Sequence, residues 1–491
     1  MSIEPYIVRL DTLVRETVKV INAAPLKIAI VVDETGRVVR TVTDGDIRRG
    51  LLQGIDLKAP VSSLPGRAPV TCPDDADSNA VAYILSTADV RAVIRVDADG
   101  MPTGLADRAN TSGMIFMSPP HIGTAELDFV KSAFKDNWVA PAGPNLELFE
   151  QQLQTLSGRT YALALSSGTA ALHLAMRVFG VERGDRVYVS DATFVASVQP
   201  VLYQQAQPVL IDSEPHSWNM SPDALERKLE RDAKDGKLPR AIILVHLYGQ
   251  PAEVKAIRGL ADRFGVALVE DAAESLGASY GNQPSGAHGD LAAFSFNGNK
   301  IITTSGGGAL VGDCVHLLDL ARNLSTQGRE PYEHYQHSQI AYNYRMSNVL
   351  AGIGIGQLQL LSQRVDARRN IFERYHEGLS GIAGVDFQNE VENSRGNRWL
   401  SVITLDPRII DIHPFQMMRE LRKRGIETRP GWKPMHMQPL CENFEFEPHS
   451  ATDVVSSRIF LQSLCLPSGS SMTPAEQFWI IEQIKKILAG D

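Results

Sequence analysis

Lys300 follows a short apolar run that ends in Ser295 and Asn297, and a Thr-Thr-Ser-Gly-Gly-Gly turn then leads back into Ala309, Leu310 and Val311. The stretch Ala292 to Val311, AAFSFNGNKIITTSGGGALV, reads as a strand delivering a lysine into a polar pocket. An amine held off a rigid strand end, beside glycines that admit a ligand close to the backbone, is what Schiff-base chemistry requires. A lone lysine is ordinarily a solvated loop residue, so the reading depends on what else the chain supplies. In LALSSGTAALHLAM a strand meets Ser166-Ser167-Gly168-Thr169 and then an Ala/Leu-rich helix. Unpaired N–H groups at the positive end of that helix make a phosphate cradle, although Ser-Gly-Thr is equally a plain helix cap. In VALVEDAAESLGA, Asp271 sits where an apolar run meets the carboxyl edge of a sheet, the place where α/β sheets bind ligands. A carboxylate there can keep a ring nitrogen protonated and make the ring an electron sink; otherwise it is a helix cap.

Other residues could complete such a site. Phe194, in SDATFVASV, is placed either to stack on a flat ring or to pack in a core. AYNYRMSN puts Asn343 and Arg345 in a polar turn that opens a long helical stretch from about Ser347 through QLQLLSQRVDARRNIFERYHEGL. RPGWKPMHMQP clusters Trp432, Lys433 and His436, for substrate contact or simply as a surface loop.

The elements that must position these residues alternate from His121 onward between short β-rich runs and helical patterns, which argues for a mostly parallel sheet with crossover helices, an α/β fold. Candidate strands are Tyr161 to Leu165, Arg186 to Ser190, Pro208 to Asp212, Ala241 to Leu247, Val266 to Glu270 and Leu291 to Phe296. Ser221-Pro222 marks a helix start, a cap followed by proline in the first turn. Small residues and prolines in ANTSGMIFMSPP, up to Pro120, mark a domain boundary. The expected division is residues 1–115, a large α/β domain over 116–370 and a smaller α+β domain over 371–491.

The first of these has its own signature. IAIVVDETGRV and AVIRVDADGMP repeat each other, with Asp33 and Gly36 in register with Asp97 and Gly100, so each reads as a β-hairpin. The first copy continues into a Thr43-Asp-Gly-Asp46 turn and a helix start. This region resembles a CBS-domain pair. The resemblance implies that Thr43 and Asp46 hold the ribose of an adenine nucleotide, a carboxylate accepting hydroxyls beside a helix N-terminus that favours phosphate. The second copy has Asp107 and Asn110 at the equivalent positions, so at most one such site is expected, and a pair that only dimerises or shields is an equal alternative.

The 491 residues are 43% hydrophobic and 21% charged, an ordinary globular composition with room for about three domains. With 48 Lys and Arg against 57 Asp and Glu, the net charge of −9 offers no field for nucleic acid or anionic membrane. The four cysteines, Cys72, Cys314, Cys441 and Cys465, have no metal or disulfide spacing. The N-terminus carries charges throughout and no long apolar run follows, so a cytoplasmic protein is expected.

Taken together, WVAPAGPNLELFE, SSGTAALHLA, ATFVASV, EDAAESLG, FSFNGNKIITTSGGGALV, NYRMSN and RPGWKPMH resemble, in this order, the DegT-type sugar aminotransferases of fold-type I. The resemblance covers about residues 115 to 491 and implies pyridoxal 5'-phosphate as cofactor. It makes Lys300 the Schiff-base lysine and proton shuttle, Asp271 the partner of the pyridinium nitrogen and Phe194 the stacking ring. Gly168, Thr169 and Ser295 would hold the phosphate. Asn343 would reach the phosphate of a neighbouring subunit, which implies a homodimer with shared active sites. Much of the family has Gln or His where this chain has Glu274, and a second carboxylate would repel the cofactor's phenolic oxygen unless protonated or turned aside. Glu274 and the Asn297-Gly-Asn299 segment look most like the branch that makes UDP-4-amino-4,6-dideoxy-N-acetylhexosamines for polysaccharide biosynthesis.

The resemblance thus implies transfer of an amino group from L-glutamate to a nucleotide-linked 4-keto-6-deoxy sugar. A 3-aminotransferase or 3-dehydratase of the same fold is the nearest alternative, but that dehydratase group carries histidine at the lysine position. A nucleotide-sensing protein with an inert scaffold is the non-enzymatic alternative.

Overall fold

The computed structural model describes residues 3–24, 26–66, 68–76, 92–107 and 114–490, together with Val81, Ile84, Ala88 and Val90. Asn110 and the start of the boundary segment lie outside the described residues. The chain divides into two units, Met1–Ile115 and Phe116–Asp491.

In the first unit, each sequence copy builds the same three-stranded sheet, a parallel pair followed by an antiparallel hairpin. Ile7–Arg9, Ile28–Val32 and Val38–Thr43 form one sheet; Thr71–Pro73, Ala92–Val96 and Pro102–Asp107 form the other. The hairpin turns close as their Asp and Gly residues require. Asp33 Oδ1 accepts from the N–H groups of Thr35 (2.8 Å) and Arg37 (3.0 Å), and Asp97 Oδ1 from those of Asp99 (3.0 Å) and Met101 (2.9 Å). Gly36 and Gly100 have φ of 89° and 80°, left-handed backbone that a Cβ would strain.

The second unit is built on an eight-stranded sheet. From one edge to the other its strands are Glu445–Glu447, Gln207–Ile211, Arg186–Ser190, Ala241–Val245, Ala267–Asp271, Leu291–Ser295, Gly308–Gly312 and Tyr161–Leu165. All pair in parallel except Gly308–Gly312, which runs antiparallel to both its neighbours. The segment carrying Lys300 contains no helix, and without a crossover helix the chain returns antiparallel. The six strands anticipated from apolar runs are present, with ends shifted by a residue or two. Such runs are continuous because these strands are buried on both faces. A smaller antiparallel sheet orders Val385–Phe387, Ser401–Leu405, Ser463–Leu466 and Arg429–Pro430.

Helix Pro222–Lys234 starts as its sequence requires, Ser221 Oγ accepting from the Ala224 N–H at 3.1 Å. The long helical stretch after Ser347 is two helices, Asn348–Leu358 and Leu361–Leu379. The first is apolar all round and packs against Ala125–Lys135 and Pro144–Ser157, its Gly352, Gly354 and Gly356 admitting Asn145, Phe149 and Glu126 at distances no Cβ would allow. The second buries only one stripe, so the chain changes direction at Gln359 and Leu360 to serve two different surroundings. Among the described residues no helix is long and apolar enough to cross a membrane.

Phe149 is fully buried and meets Phe296, the residue just after strand Leu291–Ser295, edge-on at 5.2 Å between centroids. Phe149→Ala should cost about 3–5 kcal/mol and lower the thermal unfolding midpoint by several degrees; an unchanged midpoint would contradict this packing.

Candidate active site

Strand Tyr161–Leu165 ends at Ser166, and Ser167 caps helix Gly168–Val178 by accepting the Ala170 N–H at 3.0 Å. The turn is pressed against the neighbouring strands. A Cβ on Gly168 would lie 3.0 Å from Ser295 Cβ, and one on Gly308 would overlap the backbone of Ser167 and Gly168. The glycines therefore leave a helix N-terminus bare of side chains at the wall of a cavity of about 740 Å³, which Ser166, Thr169, Ser295 and Gly307 also line. The volume falls within the usual range for small-ligand pockets.

Asp271 ends strand Ala267–Asp271 and lines the same cavity while being 6% exposed. Its Oδ2 accepts from Ser197 Oγ at 2.6 Å and its Oδ1 from the Ala273 N–H at 3.2 Å. Ser197 Oγ lies in turn 2.6 Å from Thr193 Oγ1. Burial raises the Asp271 carboxyl above its ordinary value, and the Ser197 hydroxyl and the charge of Lys300 oppose that shift.

Lys300 faces this cavity after Asn297, Gly298 and Asn299. Its N–H donates to the Asn297 carbonyl at 3.0 Å. The adjacent Asn299 carbonyl accepts from Ser118 Oγ (2.7 Å) and Trp399 Nε1 (2.8 Å), which pins the backbone beside the lysine. Lys300 Nζ lies 4.2 Å from the centre of the Trp399 ring, a cation–π placement, and 3.8 Å from Glu274 Oε1.

Glu274 is buried in the same wall, its Oε2 accepting the Tyr248 N–H at 2.6 Å. Burial pushes its carboxyl up to about 7, against the opposing pull of Lys300 and the Tyr248 N–H. The desolvation cost outweighs the pairing because 3.8 Å is an ion-pair distance rather than a hydrogen bond.

Phe194 is 60% exposed at the rim, with Trp432 edge-on at 5.9 Å, so the phenyl face is open to the cavity rather than packed in a core. Lys433 and His436 do not line the cavity. His436 is committed elsewhere: Nδ1 lies 2.7 Å from Asp191 Oδ2, Nε2 2.9 Å from Ser457 Oγ, and the ring stacks on Phe446. Asn343 is exposed and bridges Thr326, away from the cavity. Arg345 pairs with Glu150 at 2.7 Å and donates to the Ala164 carbonyl, fixing the helix before the cradle strand. In the first unit, Thr43 and Asp46 form a capping box: Asp46 Oδ2 accepts from Thr43 N–H (2.9 Å) and Oγ1 (2.7 Å), and Arg49 takes Oδ1. A ribose held there must share or open that box.

Ser197, Tyr248 and Trp399 belong to the site but carry no chemical signature in the sequence. Only Ser197, three residues after Phe194 within ATFVASV, lies in a stretch that drew notice.

The shifted carboxyl has a consequence for stability. Native Glu274 holds a proton up to about 7, whereas the unfolded chain releases it near 4.5. Its contribution is therefore complete below the unfolded value and lost as pH rises through the folded one. Glu274→Gln cannot ionise, so it should show a smaller fall in thermal midpoint than wild type between about pH 5 and about pH 8; equal falls would contradict the assignment.

Comparison with known proteins agrees with this geometry. Residues 120–485 match the model of the DegT/DnrJ/EryC1/StrS aminotransferase family, and residues 1–53 match that of the CBS domain. EpsN of Bacillus subtilis (strain 168), assigned by its name to the pyridoxal phosphate-dependent aminotransferases, is 49% identical over 75% of this chain and 94% of its own length. GDP-perosamine synthase of Vibrio cholerae is 33% identical over 67% of this chain and 88% of its own. The crystal structure of a DegT DnrJ EryC1 StrS aminotransferase from Brucella abortus superposes with a TM-score of 0.69 at 27% identity, covering 74% of this chain and 95% of that one. With its cradle, buried aspartate and lysine on the sheet's carboxyl edge, and a family match spanning most of its length, the chain belongs to the DegT/DnrJ/EryC1/StrS aminotransferases.

Proposed function

We propose that this sugar aminotransferase moves the amino group of L-glutamate to a nucleotide-linked 4-keto-6-deoxy sugar, within the cytoplasm. The observation that carries the reading is the convergence of Lys300, Asp271 and the Ser166–Thr169 turn on one cavity although they are far apart in sequence. The cofactor is pyridoxal 5'-phosphate, and the residues fit it: a glycine-walled helix start for a phosphate, a buried carboxylate for a ring nitrogen, an exposed phenyl face for stacking and an amine for the aldehyde. When bound, it supplies an electron sink for the carbon that loses its proton.

In this reading Gly168, Thr169 and Ser295 bind the phosphate through the helix N-terminus and their own donors. Asp271 holds its proton-accepting oxygens fixed through Ser197 and the Ala273 N–H. Phe194 and Trp432 bound the open side. Lys300 Nζ takes the proton from the α-carbon of the amino donor as the neutral amine and, as the ammonium, returns a proton at the sugar carbon. The two half-reactions use the same cavity in turn, the keto acid leaving before the keto sugar enters.

Residues 1–115 serve as a nucleotide-responsive regulatory domain, 116–370 as the cofactor domain and 371–491 as the small domain that supplies Trp399 and Trp432. Asn343 lies outside its own cavity, next to a segment, 331–340, that is exposed throughout. Both facts suit a homodimer in which Asn343 completes the neighbouring subunit's phosphate site. For the sugar, Glu274 and Asn297-Gly-Asn299 favour a UDP-linked N-acetylhexosamine, whereas the similarity to GDP-perosamine synthase favours a GDP-linked hexose.

Assay of UDP-, GDP- and dTDP-linked 4-keto and 3-keto sugars with glutamate separates these substrates. Turnover of a 4-keto sugar is expected, with Lys300→Ala lowering kcat by at least about 10⁴-fold; turnover by Lys300→Ala near the wild-type rate would refute the role of Lys300.

A further inference from the structure

Glu274 is a second buried acid beside Lys300, and the geometry gives it a task. Among the described residues it is the one carboxylate within ion-pair distance of Lys300. Asp271, its oxygens oriented by Ser197 and the Ala273 N–H, forms no ion pair with Lys300 among the described residues. In Glu274 one oxygen is tied down, by the Tyr248 N–H at 2.6 Å, and the other faces the amine at 3.8 Å.

The mount is built to keep it so. Tyr248 has φ of 57°, left-handed backbone that costs a side-chain-bearing residue about 1 kcal/mol or more. It stays there because its ring is buried and its hydroxyl accepts the Trp432 N–H at 3.0 Å. Asn397 clamps the other side: Nδ2 donates to the Glu274 carbonyl at 2.7 Å, while Oδ1 accepts the Trp399 N–H at 2.9 Å. One buried asparagine thus ties together the backbone at the two residues whose side chains neighbour the lysine amine.

We propose that Glu274 is a positioning residue that shares one proton with Lys300, so that the amine is released in neutral form without drawing a proton from or giving one to solvent. In the exchange an N–H bond at Lys300 Nζ breaks and an O–H bond forms at Glu274 Oε1; the pair goes from two opposite charges to none, and nothing is oxidised or reduced. The move needs the two atoms to close from 3.8 Å to hydrogen-bond distance. Burial makes the Glu274 carboxyl a better proton acceptor than an exposed one. The titratable groups that act on Glu274 are Lys300 after its strand end, Asp271 on the same turn, the Tyr248 hydroxyl and the Cys465 thiol. Burial pushes the Cys465 thiol up to about 12 and the Tyr248 hydroxyl well above its ordinary value, so both stay neutral. Asp271 opposes a second negative charge beside it and Lys300 favours one, with burial raising Glu274 to about 7. A neutral Glu274 also removes the repulsion that a second carboxylate would exert on a phenolic oxygen.

The inference rests on Lys300 being the cofactor lysine, and the test separates the two. The long-wavelength absorption of the bound cofactor is titrated with pH in wild-type holoenzyme, Glu274→Gln and Glu274→Asp, with kcat and KM for glutamate measured alongside. Wild type should show an inflection within about one pH unit of 7. In Glu274→Gln that inflection should shift by more than about one unit and kcat fall at least tenfold, with KM within about twofold. Glu274→Asp keeps the acid but draws it back from the amine, so it should lie between the two. A Glu274→Gln enzyme with the wild-type inflection and kcat overturns the proposal; should that variant not fold or load, a Glu274→Asp enzyme indistinguishable from wild type overturns it. Absence of any long-wavelength band in wild type would instead refute the cofactor reading.

Discussion

Charge taken out of water is the constraint on which this site is built. Asp271 and Glu274 are both buried on one turn after a central strand, and an ionised carboxylate in such a place is costly unless partners are aimed at it. The chain answers differently at each. Asp271 receives a hydroxyl and a backbone N–H, which hold its two oxygens in place while leaving it open to the cavity. Glu274 receives one N–H and a more distant amine, and its carboxyl consequently rises to about 7. The neighbouring Glu270 shows what full satisfaction achieves: His246 and the N–H groups of Gly286, His288 and Gly289 hold it down to about 2 despite complete burial. Three buried acids within five residues thus shift in different directions, Glu270 down and Asp271 and Glu274 up, according to how many donors offset the cost of burial.

The rest of the unit can be understood as the means of bringing donors and acids together. Parallel strands end at a common edge, so the turn after each strand opens toward the same space. The one reversed strand, Gly308–Gly312, wedges between the cradle strand and the lysine strand, and its glycine at the start lets Ser167 and Gly168 approach within contact. The smaller sheet adds Trp399 through the segment that precedes Ser401–Leu405, and Asn397 joins that segment to the acid turn. Lys300 is held by an aromatic neighbour, Trp399, and an acidic one, Glu274, that come from separate stretches of the chain.

Much of this arrangement was legible in the residues. Apolar runs bounded by turn residues located the strands because parallel strands are buried on both faces, and Ser221-Pro222 located a helix because caps are local. The hairpins of the first unit followed from Asp and Gly at fixed offsets. What was illegible depended on partners distant in sequence. Glu445–Glu447 is a short, polar edge strand defined only by pairing with Gln207–Ile211. His436 carried the chemistry expected of a substrate contact, yet the buried Asp191 claims it. Trp399 and Tyr248 have no local signature, since a buried aromatic is ordinarily core. Thr43 and Asp46 form a capping box that the sequence does not distinguish from a ribose-binding turn, because both draw on the same residue types.

The central claim is that Lys300 is the amine that takes the cofactor's aldehyde. Borohydride reduction of the purified, cofactor-loaded protein, followed by proteolysis and mass spectrometry, tests it directly. A pyridoxyl adduct on the peptide that contains Lys300, and on no other, is the predicted result; an adduct on a different lysine, or none in protein that retains the cofactor, would contradict the account.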